Sequence, residues 1–312
     1  MVVPEGTAGY GSVSVNARRK MMEITAAQVK ELREKTGLGM MICKQALIEN
    51  NGDMELAIES LRKQGQATAA KRAGKAVKQG TISIVGDAVN AFMYEVNSET
   101  DFVARNDDFV EFVKQLGDLL VQKKPDDIAA AKACTSSVFG GQSVDGRVTE
   151  LIGKIGENIT FRRYVKIAAD AATQRVFSYV HGGGKIGVMV KLTATAGLDS
   201  EELALLGKDL AMQVTAANPM AVDRDHIDPG LLAKEKEIYF TQAQTSGKPE
   251  KIWDKIVEGK LAKFYQEMTL VEQAFIKTPD ISVTDRIKET EKAIGATITV
   301  NEYIRYELGA EE

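Results

Sequence analysis

The 312-residue chain is 44% hydrophobic and 27% charged, a globular mix that excludes whole-chain disorder or a collagen-like repeat and leaves room for two or three domains. Its 40 basic residues against 44 acidic ones, a net charge of -4, argue against a general nucleic-acid binder, whose affinity comes largely from counterion release by a basic face, and suit a protein partner. No window approaches the roughly 18 to 20 apolar residues that span a bilayer, and no basic-then-apolar leader opens the chain, so no membrane contact and a cytoplasmic location are expected.

The two cysteines, Cys43 and Cys134, fall in separate helical segments without metal-ligand partners at useful spacing, and read as reduced thiols. His181 and His226 stand far apart and lack the Cys or carboxylate neighbours of a zinc site or a triad. No catalytic residues, no metal and no cofactor are therefore expected, and the chain does not read as an enzyme.

Residues 1–22, rich in Gly, Ser and Val without sustained period, read as a disordered tail ending near Arg18-Arg19-Lys20, with Met21 or Met22 as alternative starts. Glu5 and the missing amphipathic period disfavour an organellar targeting peptide. Over 23–65 three short helices are punctuated by a Thr25/Gln28 capping box, by Gly37, by Asn50-Asn51-Gly52 and by Asp53. Their few apolar positions (Val29, Leu32, Ala46, Leu47, Ala57, Ile58, Leu61) must pack together. The loop Thr36-Gly37-Leu38-Gly39-Met40-Met41 sets two glycines beside exposed-looking hydrophobics and resembles that of ubiquitin-associated helical modules. Residues 66–80, with Lys71, Arg72, Lys75 and Lys78 and no acid, read as a flexible or weakly helical linker whose short basic run reads as a solvated face, with an RNA contact as the minor alternative.

Residues 81–170 begin a β-rich core. Thr81–Val85, a Gly86-Asp87 turn and Ala88–Asn97 form a predicted hairpin, followed by a loop and an amphipathic helix from Asp107 to Gln122. A helix around Arg147–Asn158, weakened by Gly153 and Gly156, and a strand Ile159–Ala168 complete the unit. The theme returns over 171–227: strand Val176–Val180, turn His181-Gly182-Gly183-Gly184, strand Ile186–Thr193, helix Ser200–Thr215. Two similar α+β subdomains are implied. Gly182-Gly183-Gly184-Lys185 has the wrong glycine spacing and no following Ser or Thr for a phosphate loop, and reads as a hairpin turn. Over 228–268 two helices broken at Ser246-Gly247-Lys248-Pro249 face each other through Leu231, Leu232, Ile238 and Tyr239 against Trp253, Val257, Leu261, Phe264 and Met268, an antiparallel hairpin able to project. Over 269–312 a helix Val283–Ile294 and a strand Thr297–Leu308 return to the second sheet.

The stretch Glu95–Asp107 connects strand to helix and places Asp101 beside Phe102. From the residues alone, Phe102 is either a core side chain folded under the loop or an exposed wedge, and Asp101 either caps local backbone or serves a partner.

Together, Glu31-Leu32-Arg33, Thr36-Gly37, Gly39-Met40-Met41, Cys43-Lys44, Ala46-Leu47, Thr100-Asp101-Phe102-Val103-Ala104, Lys154-Ile155-Gly156-Glu157-Asn158, His181-Gly182 and Val257-Glu258-Gly259 resemble the elongation factor Ts family, over Glu23 to about Leu308. The resemblance implies an α+β protein: an N-terminal three-helix ubiquitin-associated-like domain, a core of two related α+β subdomains, and a protruding antiparallel helical hairpin. It implies a nucleotide-exchange factor that binds GDP-bound and nucleotide-free elongation factor Tu. Thr100, Asp101, Phe102 and Val103 would intrude beside the partner's magnesium site, flanked by Ile155, Gly156 and His181, with Phe102 as the wedge. Gly39, Met40, Met41 and Lys44 would dock the N-terminal domain on the partner. The sequence departs from the family at Ile42, where Asp is frequent, and at Gly183-Gly184, where bulkier residues are common. A competing reading from another class is an adaptor that binds hydrophobic peptides through the N-terminal helices.

Overall fold

A computed structural model describes residues 24–311, and the expected tail over 1–22 lies outside them. In chain order the elements are α1 (Ala26–Thr36), α2 (Met40–Glu49), α3 (Met54–Arg72), β1 (Gln79–Gly86), β2 (Asn90–Ser98), α4 (Asp101–Ala104), α5 (Asp107–Lys123), α6 (Ile128–Ala133), α7 (Val144–Ile155), β3 (Ile159–Ala168), β4 (Gln174–His181), β5 (Ile186–Ala194), α8 (Glu201–Ala217), α9 (Pro229–Thr245), α10 (Trp253–Met268), β6 (Ala274–Phe275), β7 (Thr278–Ser282), α11 (Val283–Ile294) and β8 (Ile298–Glu307). The chain is a mixed α+β protein that divides into two compact units at Gly65/Gln66. Among the described residues no helix is long and apolar enough to cross a membrane.

In the first unit the capping box forms as its residues dictate: the Thr25 hydroxyl accepts from the Gln28 amide at 3.2 Å and the Thr25 amide donates to the Gln28 side chain at 3.0 Å. Gly37, at φ 66°, ends α1, and Asp53 accepts from the Leu56 amide at 3.0 Å to start α3. Val29, Leu32, Cys43, Ala46, Leu47, Ala57 and Leu61 make its core.

Helix α3 runs past the 65/66 boundary to Arg72, so the front half of the segment read as a flexible or weakly helical linker is regular helix. Gln66-Ala67-Thr68-Ala69-Ala70-Lys71-Arg72 is mostly strong helix formers, and the isolated Gly65 costs only about 1 kcal/mol against Ala. Ala69 then packs against the core of the second unit.

The second unit holds two three-stranded antiparallel sheets, ordered β1-β2-β3 and β4-β5-β8. Strand alternation gives each sheet two apolar faces. Phe92, Tyr94 and Val96 on one face of β2 meet Phe109, Phe112, Leu116 and Leu120 of α5 and Leu151 and Ile152 of α7. Val188, Val190 and Leu192 of β5 meet Leu203, Leu206, Leu210 and Val214 of α8 and Val283 and Ile287 of α11. The opposite faces meet each other through Ile82, Ala91, Met93, Ile167, Val176 and Met189. The order is helices, sheet, sheet, helices. The sheets approach closely at Gly187, where a Cβ would stand 2.6 Å from Ile82 Cγ2.

The two halves repeat each other in detail. Strands β2 and β5 are both 9 residues, α5 and α8 both 17, α7 and α11 both 12. The return strands β3 and β8 carry a bulge at the same place: Glu95 faces Arg163 while Val96 faces Phe161, and Lys191 faces Glu302 while Leu192 faces Val300. Glu95–Arg163 and Lys191–Glu302 are ion pairs at equivalent positions with the charges exchanged.

Buried phenols anchor the first sheet. The Tyr94 hydroxyl donates to the Val113 carbonyl at 2.8 Å, and that of Tyr164 to the Pro125 carbonyl at 2.9 Å. Burial pushes both well above the usual tyrosine range, and raises Tyr303 to about 12. A phenol whose folded pKa is raised contributes stability that is full below the unfolded value near 10 and is lost as pH rises through the folded value. Stability measured by urea unfolding should therefore fall from about pH 10 upward, and Tyr94→Phe should flatten that limb while costing about 1 kcal/mol at neutral pH.

Three elements have no clear sequence signature: α6, which is Ala-rich and only 6 residues long, a 3₁₀ turn at Ser137–Phe139, and the β6–β7 hairpin. In the α9–α10 pair, Leu232, Tyr239, Phe264 and Met268 pack together as expected, but Ile238 is exposed. The contact stripe runs through Leu232, Tyr239 and the buried Ala243, and Ile238 lies one position off it. Pro249 caps a 3₁₀ turn, Glu250–Ile252, ahead of α10 rather than opening the α-helix itself.

Candidate functional site

The β5-to-α8 connection takes six residues, 195–200, and the equivalent β2-to-α5 connection takes eight, 99–106. The longer connection makes α4, a single turn without a counterpart between β5 and α8. Thr100 caps it, accepting from the Val103 amide at 3.4 Å, while Asn106 caps α5 by accepting from the Asp108 amide at 2.9 Å. Of the four residues predicted here, Val103 turns into the core and Phe102 turns out. At 81% exposure, Phe102 is the most exposed large hydrophobic side chain among the described residues. Most large apolar side chains are buried, so a bare phenylalanine on an ordered turn is unusual.

The turn is braced from behind. Glu157 accepts from the Thr100 amide at 3.1 Å and from its hydroxyl at 2.9 Å, and Glu99 accepts from the Asn158 amide at 2.6 Å. Two neighbouring loops thus exchange carboxylates. Arg72 pairs with Glu99 at 3.3 Å, and the Asn158 side chain donates to the Lys75 carbonyl at 2.8 Å, so the segment entering β1 is tied to the same loops. Asp101 is held by Arg105 at 2.9 Å in an exposed pair, worth at most about 1 kcal/mol.

Ile155 packs against the first core, and Gly156 ends α7 at φ 83° with its amide on the Ile152 carbonyl at 2.8 Å. A Cβ on Gly156 would meet nothing within 4 Å, so glycine is favoured there by backbone conformation alone. Gly156→Ala should lower stability by about 1 to 2 kcal/mol, read as a fall in Tm.

His181 lies at the end of β4, exposed, with its Nδ1 3.1 Å from the Tyr179 hydroxyl. The glycines after it take φ of 62°, 66° and 94°, and the Lys185 amide donates to the His181 carbonyl at 3.0 Å, a hairpin turn. Gly184 has no room for a side chain, since a Cβ would fall 2.1 Å from Thr81 Oγ1. The first-unit residues form a set of their own: Gly39 caps α2, Met40 and Met41 are exposed, and Lys44 lies exposed one turn on.

The structure therefore gathers Thr100, Asp101, Phe102 and Val103 with the 155–158 loop, while His181 engages Tyr179. The bracing role of Glu99, Glu157, Asn158 and Arg72 is not legible in the sequence: Glu157 and Asn158 stand there only as part of the motif Lys154–Asn158, Arg72 only as part of a basic run, and Glu99 is one carboxylate among many.

The site is a braced turn that presents an exposed aromatic side chain on an α+β scaffold. The family model described as elongation factor TS matches residues 99–310. The chain is 44% identical over 290 residues to the elongation factor Ts of Syntrophotalea carbinolica, covering 92% of this chain and 94% of that protein. It is 43% identical over 295 residues to that of Bartonella quintana, with 92% and 94% covered, and 44% identical over 291 residues to that of Clostridium botulinum, with 92% of each covered. The chain belongs to the elongation factor Ts family of translation elongation factors.

Proposed function

We propose that this chain is a non-enzymatic guanine-nucleotide exchange factor that binds elongation factor Tu in its GDP-bound and nucleotide-free states and promotes GDP release. The observation that carries this reading is Phe102: 81% exposed, on a turn fixed by Thr100 and Glu157. Phe102 wedges into the GTPase and Asp101, freed from Arg105, enters beside its magnesium. Magnesium neutralises the diphosphate, so disturbing its ligands raises the free energy of bound nucleotide. Val103 and Ile155 anchor the turn from the core side, Gly156 lets the neighbouring loop reach it, and His181 flanks it. The coupling is reciprocal: a chain that weakens nucleotide binding is itself displaced when GTP loads.

In this reading the first unit is the ubiquitin-associated-like domain, docking through Gly39, Met40, Met41 and Lys44. The halves built on β1-β2-β3 and β4-β5-β8 are the two core subdomains, and α9–α10 is the projecting hairpin. The action takes place in the cytoplasm, with no cofactor and no nucleic acid.

The test is stopped-flow release of fluorescent GDP from elongation factor Tu with the chain at catalytic concentration. Faster release supports exchange; release at the spontaneous rate rejects it. Deleting residues 23–65 separates the adaptor reading, which loses all binding, from the exchange reading, in which the core still binds.

A further inference from the structure

Glu95 has no exposed surface, and a carboxylate taken out of water is stable only when its oxygens are fully engaged. One oxygen accepts from Arg163 Nε at 2.6 Å; the other accepts from Asn97 Nδ2 at 2.8 Å and the Gly309 amide at 2.9 Å, with Arg162 Nη1 at 3.5 Å. The β3 bulge makes this set available. Successive strand residues normally face opposite ways, but with Arg162 as the extra residue both guanidiniums reach one carboxylate.

The partners reach from one half of the protein to the other. Gly309 follows β8 of the second sheet, whereas Glu95, Arg162 and Arg163 belong to the first. Arg163 also donates to the Glu307 carbonyl at 2.7 Å and lies over the Tyr306 ring, 3.9 Å from its centroid. Arg162 donates to the Ala310 carbonyl. Gly309 sits at φ 70°, and a Cβ there would come within 2.9 Å of the Lys78 carbonyl oxygen, so the tail lies directly on the segment entering β1. From Glu95 the connection runs forward: Asn97 bridges Glu95 to the Gln79 carbonyl, and the Ser98 hydroxyl donates to the Thr100 carbonyl, at the cap of α4.

We propose that Glu95 is a positioning residue: it clasps the tail 306–310 of the second half onto the root of the Phe102 turn and so fixes that turn against the rest of the core. The equivalent pair in the second half, Lys191–Glu302 at 2.5 Å, holds the same bulge without a tail, so the strands need an ion pair there but not the acceptor that only a carboxylate at 95 supplies to Gly309.

The functional half of this inference rests on the exchange reading, and two measurements on the full chain keep them apart. The first is amide hydrogen exchange of Thr100 and residues 103–106 without partner; the second is GDP release from elongation factor Tu. Three variants are compared: Glu95→Gln, the double exchange Glu95→Lys with Arg163→Glu, and Lys191→Gln as control. The double exchange rebuilds the strand pair in the polarity found at 191 and 302 but leaves the Gly309 amide without an acceptor, and it remains informative should Glu95→Gln fold poorly. Loop amides are expected to exchange about tenfold faster in both Glu95 variants and unchanged in Lys191→Gln, with GDP release about fivefold slower in the same two. Full restoration by the double exchange, unmoved loop amides, or faster amides with unchanged release would each overturn the positioning role. If the unaltered chain accelerates no release, the exchange reading fails by itself and the amide comparison alone decides whether the clasp holds the turn.

Discussion

Phe102→Ala should slow GDP release from elongation factor Tu by one to two powers of ten at subsaturating concentration, while thermal unfolding of the free chain stays where it is. The side chain is 81% exposed, so truncation removes almost no folded-state packing, and surface changes of this kind stay within about 0.5 kcal/mol. Burying a phenylalanine in a partner contributes roughly 1.5 to 3 kcal/mol, which is the stated range in an equilibrium constant. The contrast between the two readouts is the useful part. A core residue would move Tm first, and an incidental surface residue would move neither. Release as fast as with the unaltered chain would mean that the wedge lies elsewhere, with Met40 and Met41 the next apolar side chains to test.

Gly207→Ala should destabilise the chain by about 3 kcal/mol, although alanine in a helix is ordinarily better than glycine by up to about 1 kcal/mol. Gly207 lies buried within α8, and a Cβ there would fall 2.1, 2.2 and 2.6 Å from Cγ, Cδ2 and Cδ1 of Phe177 in β4. A ring cannot yield as a flexible chain end would, so the helix must lift from the sheet or the ring must leave its place. Steric overlap outweighs propensity here. At about 2 to 4 °C per kcal/mol for a protein of this size, Tm should drop by roughly 6 to 12 °C, and Phe177→Leu in the same background should recover part of it. A variant as stable as the unaltered chain would show that α8 and β4 do not approach so closely.

The legibility of this protein differs from element to element for identifiable reasons. Strand β3 and helix α11 match the sequence expectation to the residue: the helical period runs unbroken over 283–294, and 159–168 still reads as a strand although the bulge at Arg162 breaks its alternation after Phe161. Helix α3 continues through Gly65, because the helix formers behind it outweigh a single local breaker. The β6–β7 hairpin and α6 are too short for any period to show. For the site, periodicity places Asp101 and Phe102 in a strand-to-helix connection but leaves Phe102 open between core and surface, and only the family resemblance favours the wedge. Periodicity fails there because α4 is a single turn, in which Val103 goes in and Phe102 goes out without a second turn to repeat the pattern.

What the sequence determined by itself is what adjacent residues control: the caps at Thr25, Asp53 and Ser200, the glycine turns, the apolar stripes of α5 and α8, and the family to which the chain belongs. What only the tertiary structure decided depends on residues far apart in the chain. Thr100 meets Glu157, Glu99 meets Asn158, and Glu95 meets Arg163 and Gly309. A carboxylate in a strand reads as an ordinary surface charge until the sheet on its other side is in place. Burial is a property of packed layers, and it alone turned Glu95 from a surface charge into a clasp.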